Sequence, residues 1–452
     1  MSAPDGLNAQ RFGYGPRAGR LPPRSPADQL SRSDRMVKDF AAPDTGAVLA
    51  QLAAWRDQVR GLKEGSKSAQ DIRRTVRAEA NGWAMKNARM ELARAVDSDD
   101  SYRERLVRFW SDHFTVRASN LSNRPIVTAM VDDTIRPNIT GPFARMLRAA
   151  VLHPAMLGFL NQTASVGPDS PAGQRRGVGL NENLARELLE LHTLGVGGSY
   201  SQTDVRQAAL LLTGLVVDGP PGTVFEPRRA QPGAETVLGR SYGKAKGGRI
   251  EDIYQLLDDL AAHPQTAQHV CGKLAVHFVS DTPDPALVAD LVAVWKKTDG
   301  DLKAVSAALA EHPAALRPGL EKARQPFDFV VAALRALGVE GAEIVGWSDP
   351  FTRRVALTPM LVMGQKWQDP GGPDGWEEGF DYWITPHALA NRIDWAMKVP
   401  ARLRPDLPDA REFVGHALAD LADDTLRLMV ARAERKGEGV GLVLASPQFN
   451  RR

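Results

Sequence analysis

The chain has 452 residues, of which 43% are hydrophobic and 25% are charged, an ordinary composition for a globular protein with a large core. Its formal net charge of +3 is too small for a dedicated nucleic-acid-binding surface, which needs a concentrated basic face. The single cysteine, Cys271, excludes an intramolecular disulfide and a thiolate metal cluster. The first residues lack the apolar run of a signal peptide, and no stretch of about 18 apolar residues predicts a membrane span. We therefore expect a cytoplasmic location, or a periplasmic one if the chain is exported with a partner or a signal was removed.

Helix signals recur from one end of the sequence to the other. Ser101 and Glu104 have the spacing of a capping box and predict a helix over 101–116. Ser201 and Asp204 have the same spacing and predict a helix that ends at Gly214. Further helices are predicted near 47–60, 68–96, 124–134, 142–151, 183–194, 250–262, 265–279, 285–297, 301–311, 325–337, 351–366, 386–397, 409–434 and 438–445.

The predicted fold class is all-α, a large multi-helix domain over 1–452 with at most a small β-hairpin. Three His-Pro pairs strengthen this prediction because proline suits the first position of a helix; they are His153-Pro154, His263-Pro264 and His312-Pro313. The intervals 165–180 and 219–248 are predicted to be irregular loop insertions. A short hairpin within 223–243 is the sheet that the pattern favours.

The segment 181–194 carries the densest set of chemically useful side chains. With Glu182 at zero on a helical wheel, Arg186, Glu190, Asn183 and Glu187 fall at about 40°, 80°, 100° and 140°, and leucines fill most of the other side. His192 falls near about 280°, on the leucine face, and is predicted to be buried with its ring hydrogen-bonded. His192 is therefore not expected to share a metal site with the glutamates.

Two interpretations of this polar arc stay open. In the first, the arc faces an internal cleft: Glu187, Glu190 and Arg186 are catalytic, Asn183 binds ligand, and Glu187 and Glu190 hold a divalent metal with His113 from the 101–116 helix. In the second, Arg186 pairs with the glutamates four residues away on an ordinary solvated surface. His113 itself lies on the apolar face of its helix and is either a core histidine or a ligand pointing inward.

The stretch 367–383 combines aromatic side chains with carboxylates. Trp376 and Asp374 are its predicted ligand-binding residues, because aromatic rings and carboxylates together can line a sugar-binding cleft and cleave glycosides. The alternative is a Pro/Gly-rich loop that anchors itself to the core through its tryptophans.

Several blocks of the chain resemble a large bacterial family, the domain-of-unknown-function 1800 family. They are Arg11–Gly15, Phe109–Phe114, His153–Leu157, Asn181–Gly195, Asp204–Val205, Leu212–Gly214, His263–Ala267, Lys273–Leu274, His277–Phe278 and Ala445–Phe449. The resemblance implies a mostly helical fold and no particular reaction. It also implies a partner, since family members are often encoded beside an exported sulfatase-like or phosphatase-like protein. Many relatives carry His-Asp-x-Gly-x-Lys-Thr where this chain has Ala-Gln-Pro-Gly-Ala-Glu-Thr at 230–236.

Three hypotheses for function follow. The first is a metal- or ligand-binding enzyme with an acidic site on the 181–194 helix. The second is a non-catalytic accessory protein for a protein encoded nearby, which the altered 230–236 stretch favours. The third is a carbohydrate-binding or glycoside-active protein that uses the 367–383 loop.

Overall fold

The chain folds as a helical protein with two small β-hairpins, which confirms the predicted fold class. The computed structural model describes residues 3–20, 24–62, 66–118, 124–176, 179–220, 222–244 and 247–452. Within these ranges, no helix is both long enough and apolar enough to cross a bilayer. Residues 177–178, 221, 245 and 246 of the two predicted loop insertions lie outside the described residues.

The first half of the chain contains mostly short helices and one long helix, α5, of 31 residues. They are α1 Ala3–Arg11, α2 Pro26–Leu30, α3 Met36–Asp39, α4 Thr45–Val59, α5 Lys67–Asp97, α6 Ser101–His113, α7 Arg124–Met130, α8 Phe143–Val151, α9 Pro154–Phe159, α10 Pro171–Arg176, α11 Asn183–Glu187 and α12 Gln202–Leu211. The second half continues with α13 Ile250–Ala262, α14 Pro264–Phe278, α15 Pro285–Lys297, α16 Leu302–Glu311, α17 Pro326–Ala336, α18 Gly341–Val345, α19 Asp349–Thr352, α20 Thr358–Val362, α21 Phe380–Trp383, α22 Pro386–Lys398, α23 Pro400–Leu403, α24 Ala410–Leu418, α25 Asp424–Ala431, α26 Lys436–Ala445 and α27 Pro447–Asn450.

Tighter and wider turns interrupt several predicted helices. Segments of π-helix follow α7, α11 and α19, at Val131–Ile135, Leu188–Thr193 and Arg353–Leu357. Short 3-10 turns lie at Arg136–Asn138, Gln162–Ala164, Pro313–Leu316 and Ala419–Leu421. The helix predicted over 409–434 is two α-helices, divided after Leu418 because Ala419 has a φ of 50°, outside the right-handed α-helical region.

The interval after α12 forms two hairpins where the sequence predicted at most one. Strand β1, Leu215–Asp218, pairs antiparallel with β2, Gly222–Phe225. Strand β3, Gly233–Val237, pairs antiparallel with β4, Arg240–Lys244. The altered 230–236 stretch thus lies at the start of β3.

The helix-start predictions are confirmed with one correction. Ser201 and Asp204 form the predicted capping box, and the His-Pro histidines cap α9, α14 and the 3-10 turn at 313–316 by accepting a backbone N–H at Nδ1. Ser101 and Glu104 do not form a capping box, although α6 begins there. The Glu104 carboxylate instead accepts two hydrogen bonds from the Arg136 guanidinium, at 2.7 and 2.8 Å, and a charged partner outcompetes a backbone N–H.

Two large hydrophobic clusters form the core. The first joins α6, α8, α9 and α11–α16, and the second joins the carboxyl-terminal half of α5 with α17, α20 and α22–α27. A buried ion pair between Arg105 of α6 and Asp328 of α17 lies between them. The single domain over 1–452 stays a prediction, which one cooperative unfolding transition would support.

Candidate functional site

A polar pocket of about 200 Å³ opens where α6, α14 and the segment between α20 and α21 meet. It is lined by Phe109, Asp112, His113, Lys273, Asp374, Gly375, Trp376, Glu377 and Glu378. Two residues that the sequence singled out separately, His113 and Trp376, are thus brought together. Small concave sites with a few convergent polar groups are the usual setting for ligand binding.

Helical periodicity explains which side chains reach the pocket. Phe109, Asp112 and His113 are spaced i, i+3 and i+4 on α6 and share one face. On α14, His269, Lys273 and His277 are spaced four residues apart and form a stripe toward α6. Lys273 at the middle of that stripe is the pocket's cation.

The loop 368–379 closes onto Asp112 through its backbone. The Trp376 N–H lies 3.0 and 3.1 Å from the two carboxylate oxygens of Asp112 and donates to them. Gly375 makes this approach possible: it has a φ of +87°, and a Cβ at this position would lie 2.8 Å from the Asp112 carboxylate. The loop therefore requires a glycine next to the acid.

Asp112 is held in an environment that favours its protonated form. Burial raises the pKa of Asp112 to about 7, and the negative charge of Glu378 raises it further. Three groups oppose this change and lower the pKa: Lys273, the Trp376 N–H and Arg108. The side chain keeps partial contact with solvent through the pocket. Asp112 can therefore both donate and accept a proton near neutral pH.

Lys273 is perturbed in the complementary direction. Burial lowers its pKa, and the charges of Asp112, Glu378 and Asp374 oppose that change. Among the described residues, the Lys273 ammonium takes part in no hydrogen bond or salt bridge. It is a desolvated amine surrounded by carboxylates without being locked to one of them.

Glu378, by contrast, is fixed in its ionised form. One carboxylate oxygen lies 2.5 Å from Nδ1 of His277, and the other lies 3.4 Å from Nζ of Lys322, whose side chain is fully buried. Burial alone would raise the pKa of Glu378, but His277 and Lys322 more than compensate and hold it below its usual range. The pocket thus contains two partly buried carboxyl groups whose pKa values are displaced in opposite directions.

Three histidines pack behind the pocket against the π-helical segment. His113 Nε2 lies 3.2 Å from the backbone oxygen of His192, and His269 Nε2 lies 3.1 Å from that of Leu191. A carbonyl oxygen can only accept, so both rings carry their proton on Nε2. Leu191 and His192 lie in the last turn of the π-helical segment Leu188–Thr193, where carbonyl groups lack a donor within the helix and accept hydrogen bonds from other groups.

His192 is buried, as predicted, with 1% of its surface exposed. The predicted ring hydrogen bond is not found at Nδ1, which has no partner among the residues that the structure describes. Burial and the charge of Lys273 lower the pKa of His192 to about 3, so the ring is neutral at physiological pH. His192 is a core histidine that supports His113 through its backbone.

The polar arc of 181–194 lies outside the pocket lining. Asn183 is exposed, and the Arg186 side chain, 37% exposed, pairs with Glu190 at 3.3 Å and Glu182 at 3.4 Å. Glu187 is half-buried, and burial followed by the charges of Glu190 and Asp374 raises its pKa. The arc is therefore a salt-bridged rim next to the 368–379 loop, intermediate between the two interpretations.

The predicted metal ligands are not assembled into one centre. His113 points its Nε2 at a backbone carbonyl, whereas Glu187 and Glu190 lie in the rim with Arg186. Over the described ranges, no group of three or more His, Cys, Asp or Glu side chains is arranged to hold a metal ion. A divalent metal at Glu187, Glu190 and His113 stays a prediction without geometric support.

Sequence reasoning missed the two most perturbed groups of the pocket, Asp112 and Lys273. Lys273 could have been found from the four-residue spacing of His269, Lys273 and His277, which places three titratable groups on one helix face. Asp112 lies within the Phe109–Phe114 block of family resemblance, but that block did not indicate its environment, because the Trp376 N–H that contacts it is 264 residues away in sequence. The altered stretch 230–236 contributes no residue to the pocket lining.

Comparison with known proteins is informative only at the level of the family. No curated protein and no solved structure matches the chain. A family model described as "Protein of unknown function (DUF1800)" matches residues 8–451, nearly the whole chain. The helical fold, the ordered blocks of resemblance and this match together show that the chain belongs to the DUF1800 family.

Proposed function

We propose that the chain is an acid–base enzyme whose active site is the polar pocket around Asp112. The observation that carries this proposal is the pairing of a carboxyl group with a raised pKa and an amine with a lowered pKa in one pocket. Structural ion pairs have their charges in contact, whereas the Lys273 ammonium has no salt-bridge partner among the described side chains. Strongly perturbed groups of this kind concentrate at catalytic sites because proton transfer needs pKa values near the working pH.

The roles of the pocket residues follow from their environments. Asp112 donates or accepts the proton, and Lys273 acts as the second acid–base group or stabilises negative charge that develops on the substrate. Glu378 stays ionised and keeps the local field negative, while the Trp376 N–H fixes the orientation of Asp112. Trp376 and Asp374 are the ligand-contacting residues of the loop.

The 181–194 rim has a secondary role in this proposal. Glu187, Glu190 and Arg186 lie beside the loop, where they would contact the outer part of a substrate rather than the reacting atoms. The altered 230–236 stretch does not line the pocket, so its divergence leaves the acid–base groups in place. This observation favours an enzyme over a purely accessory protein.

One observation favours glycoside chemistry as a second candidate. Glycosidases use one carboxyl group kept protonated as the acid and a second kept ionised, and Asp112 and Glu378 are displaced in those two directions. Trp376 supplies an aromatic surface in the same pocket. Hydrolysis of aryl glycosides that is lost in Asp112→Asn would select this candidate.

The state of Lys273 can be tested without knowing the substrate. Cyanate is small and carbamylates only the neutral form of an amine, so at pH 7 we expect Lys273 to react faster than the exposed Lys296. Peptide mapping by mass spectrometry after timed exposure measures both rates in one sample. Slower reaction at Lys273 than at Lys296 would show an ordinary ammonium and contradict the proposal.

Ligand binding is tested with matched variants. A ligand-observed NMR panel of small sugars, polyols, amines and carboxylic acids is run against the wild type, Asp112→Asn and Lys273→Met. Asp381→Asn, an exposed acid next to the same loop, is the control. We expect at least one compound class to bind the wild type and Asp381→Asn but not the two pocket variants; equal binding to all four proteins, or to none, would refute an active site here.

A further inference from the structure

A second cavity adjoins the polar pocket at Asp112. This Tyr14 chamber has a volume of about 100 Å³, and Asp112 and Trp376 line both spaces. It lies where the two hydrophobic clusters meet, because Val107 and Ile135 of its wall belong to the first and Tyr14 and Phe327 to the second. The Asp112–Trp376 contact is thus the boundary between two compartments.

The charges in the chamber wall neutralise one another. Every arginine of the wall is paired with at least one acid: Arg94 with Asp132 at 2.5 Å, Arg136 with Glu104 at 2.7 Å, and Arg108 with Glu91 at 2.5 Å. Arg136 also lies 3.1 Å from Asp34 and 3.8 Å from Asp132. The remaining acid is Asp112, whose pKa is raised to about 7 by burial, so it is mostly protonated and uncharged at pH 6. A charged ligand group would find no free counter-charge here and would lose its hydration, so the chamber favours a neutral one.

Some polar atoms of the wall nevertheless have no hydrogen-bond partner among the described residues. The Tyr14 side chain is fully buried, and its hydroxyl has no hydrogen-bond partner among the described residues. Gln368 donates through Nε2 to Thr128 at 2.8 Å, which leaves its buried Oε1 as an unpartnered acceptor. Buried polar atoms are nearly always satisfied by protein, water or ligand, so the chamber is built to receive a group that both donates and accepts.

Most of the remaining wall is apolar; these residues are Ala95, Val107, Phe114, Val116, Val127, Met130, Val131, Ile135, Phe327 and Pro370. Ser111 and Thr115 also line the chamber, but their hydroxyls donate to backbone oxygens nearby in the chain. An occupant with a hydrocarbon body and a hydroxyl group satisfies both parts of this wall, whereas water alone would leave the apolar surface poorly solvated.

We propose that the Tyr14 chamber is a second subsite of the active site and binds a neutral, hydroxyl-bearing part of the substrate. The substrate then extends from the chamber, past Asp112, into the polar pocket, so that the acid lies at the junction. Together the two spaces approach the size of ordinary small-molecule sites. This inference rests on the proposed function for the identity of the site, but the chamber's selectivity can be measured independently of it.

The test uses three fluorinated probes of equal length and different charge. They are 3,3,3-trifluoropropan-1-ol, 3,3,3-trifluoropropionate and 3,3,3-trifluoropropylamine, observed by fluorine NMR with the full-length protein at pH 6, where Asp112 is mostly protonated. We expect the alcohol to bind and the two charged probes to bind at least about ten-fold more weakly, because the wall offers no unpaired charge. Equal binding of all three probes would overturn the proposal.

Two variants locate the bound alcohol. Tyr14→Phe removes only the hydroxyl and should weaken binding of the alcohol by roughly three- to ten-fold, the effect of one hydrogen bond. Lys273 lines the polar pocket but not the chamber, and its loss only makes Asp112 easier to protonate, so in Lys273→Met the alcohol should still bind although the proposed acid–base site is lost. Unchanged affinity in Tyr14→Phe, or a crystal soaked in the alcohol that shows only water in the chamber, refutes the subsite; loss of binding in Lys273→Met places the alcohol in the other pocket and also refutes it. Failure of the proposed function alone would leave the alcohol results unaltered.

Discussion

Replacing Asp112 by asparagine should make the folded protein more stable while it disables the site. A carboxyl group with a pKa of 3.8 in the unfolded chain and about 7 in the folded protein holds a proton that the unfolded chain has released. Stability therefore falls as the pH rises from about 4 through 7. At pH 8 the full change corresponds to ~4 kcal/mol against folding.

The Asp112 side chain keeps partial contact with solvent, which weakens the electrostatic destabilisation, so we expect about half of that free energy. Asparagine has the same shape, carries no charge and keeps one oxygen to accept the Trp376 N–H. Asp112→Asn should thus raise the free energy of unfolding by about 2 kcal/mol at pH 8 and by about 1 kcal/mol at pH 5. Ligand binding should be lost, because a site that stores unfavourable electrostatics for function gains stability when it is neutralised.

The assay is urea unfolding of the wild type, Asp112→Asn and the exposed control Asp381→Asn at pH 5 and pH 8, followed by circular dichroism. The control should show no difference between the two pH values beyond that of the wild type. If Asp112→Asn is less stable than the wild type at both pH values, Asp112 is an ordinary ionised carboxylate held by its hydrogen bonds, and the argument for an acid–base site is wrong.

Three further changes test other parts of the site. Gly375→Ala should lower the free energy of unfolding by roughly 1–3 kcal/mol in calorimetry and abolish ligand binding, because the new Cβ would strain a φ of +87° and displace the Asp112 carboxylate. The control Gly371→Ala has open space at its Cβ and should leave stability unchanged. Similar effects of both variants would contradict this explanation. Lys322→Met should lower the free energy of unfolding by about 3–5 kcal/mol, because Glu378 and Asp281 would lose a fully buried cation. A decrease of less than about 1 kcal/mol would show that water replaces the ammonium. His192 has a pKa of about 3 in the folded protein and an ordinary value of 6.5 in the unfolded chain, so only the unfolded chain gains a proton as the pH falls from 8 to 5. The wild type should therefore lose about 2 kcal/mol of stability through His192 over this range, and His192→Asn should lose less. An identical pH dependence of the two proteins would show that the histidine is not held neutral.

The sequence alone was sufficient to predict the helical architecture and many of the positions at which helices begin. Hydrophobic periodicity and capping residues are local signals, so the helix from 202, the His-Pro starts and the burial of His192 could be read from a few consecutive residues. It also marked His113, Asp374 and Trp376 as chemically interesting. The prediction of a Ser101–Glu104 capping box was wrong because the Glu104 carboxylate accepts hydrogen bonds from Arg136, which comes from another part of the chain.

Tertiary structure decided which of the marked residues form a site. The segment 188–193 is π-helical, so a wheel of 3.6 residues per turn does not describe it, and the backbone oxygens of Leu191 and His192 accept hydrogen bonds from His269 and His113, which come from other helices. The pKa values of Asp112 and Lys273 depend on burial by α14 and by the 368–379 loop, which are distant in sequence from α6. Desolvation and charge–charge interactions act through space, and for that reason the chemistry of this pocket is a property of the packed structure rather than of any segment of the chain.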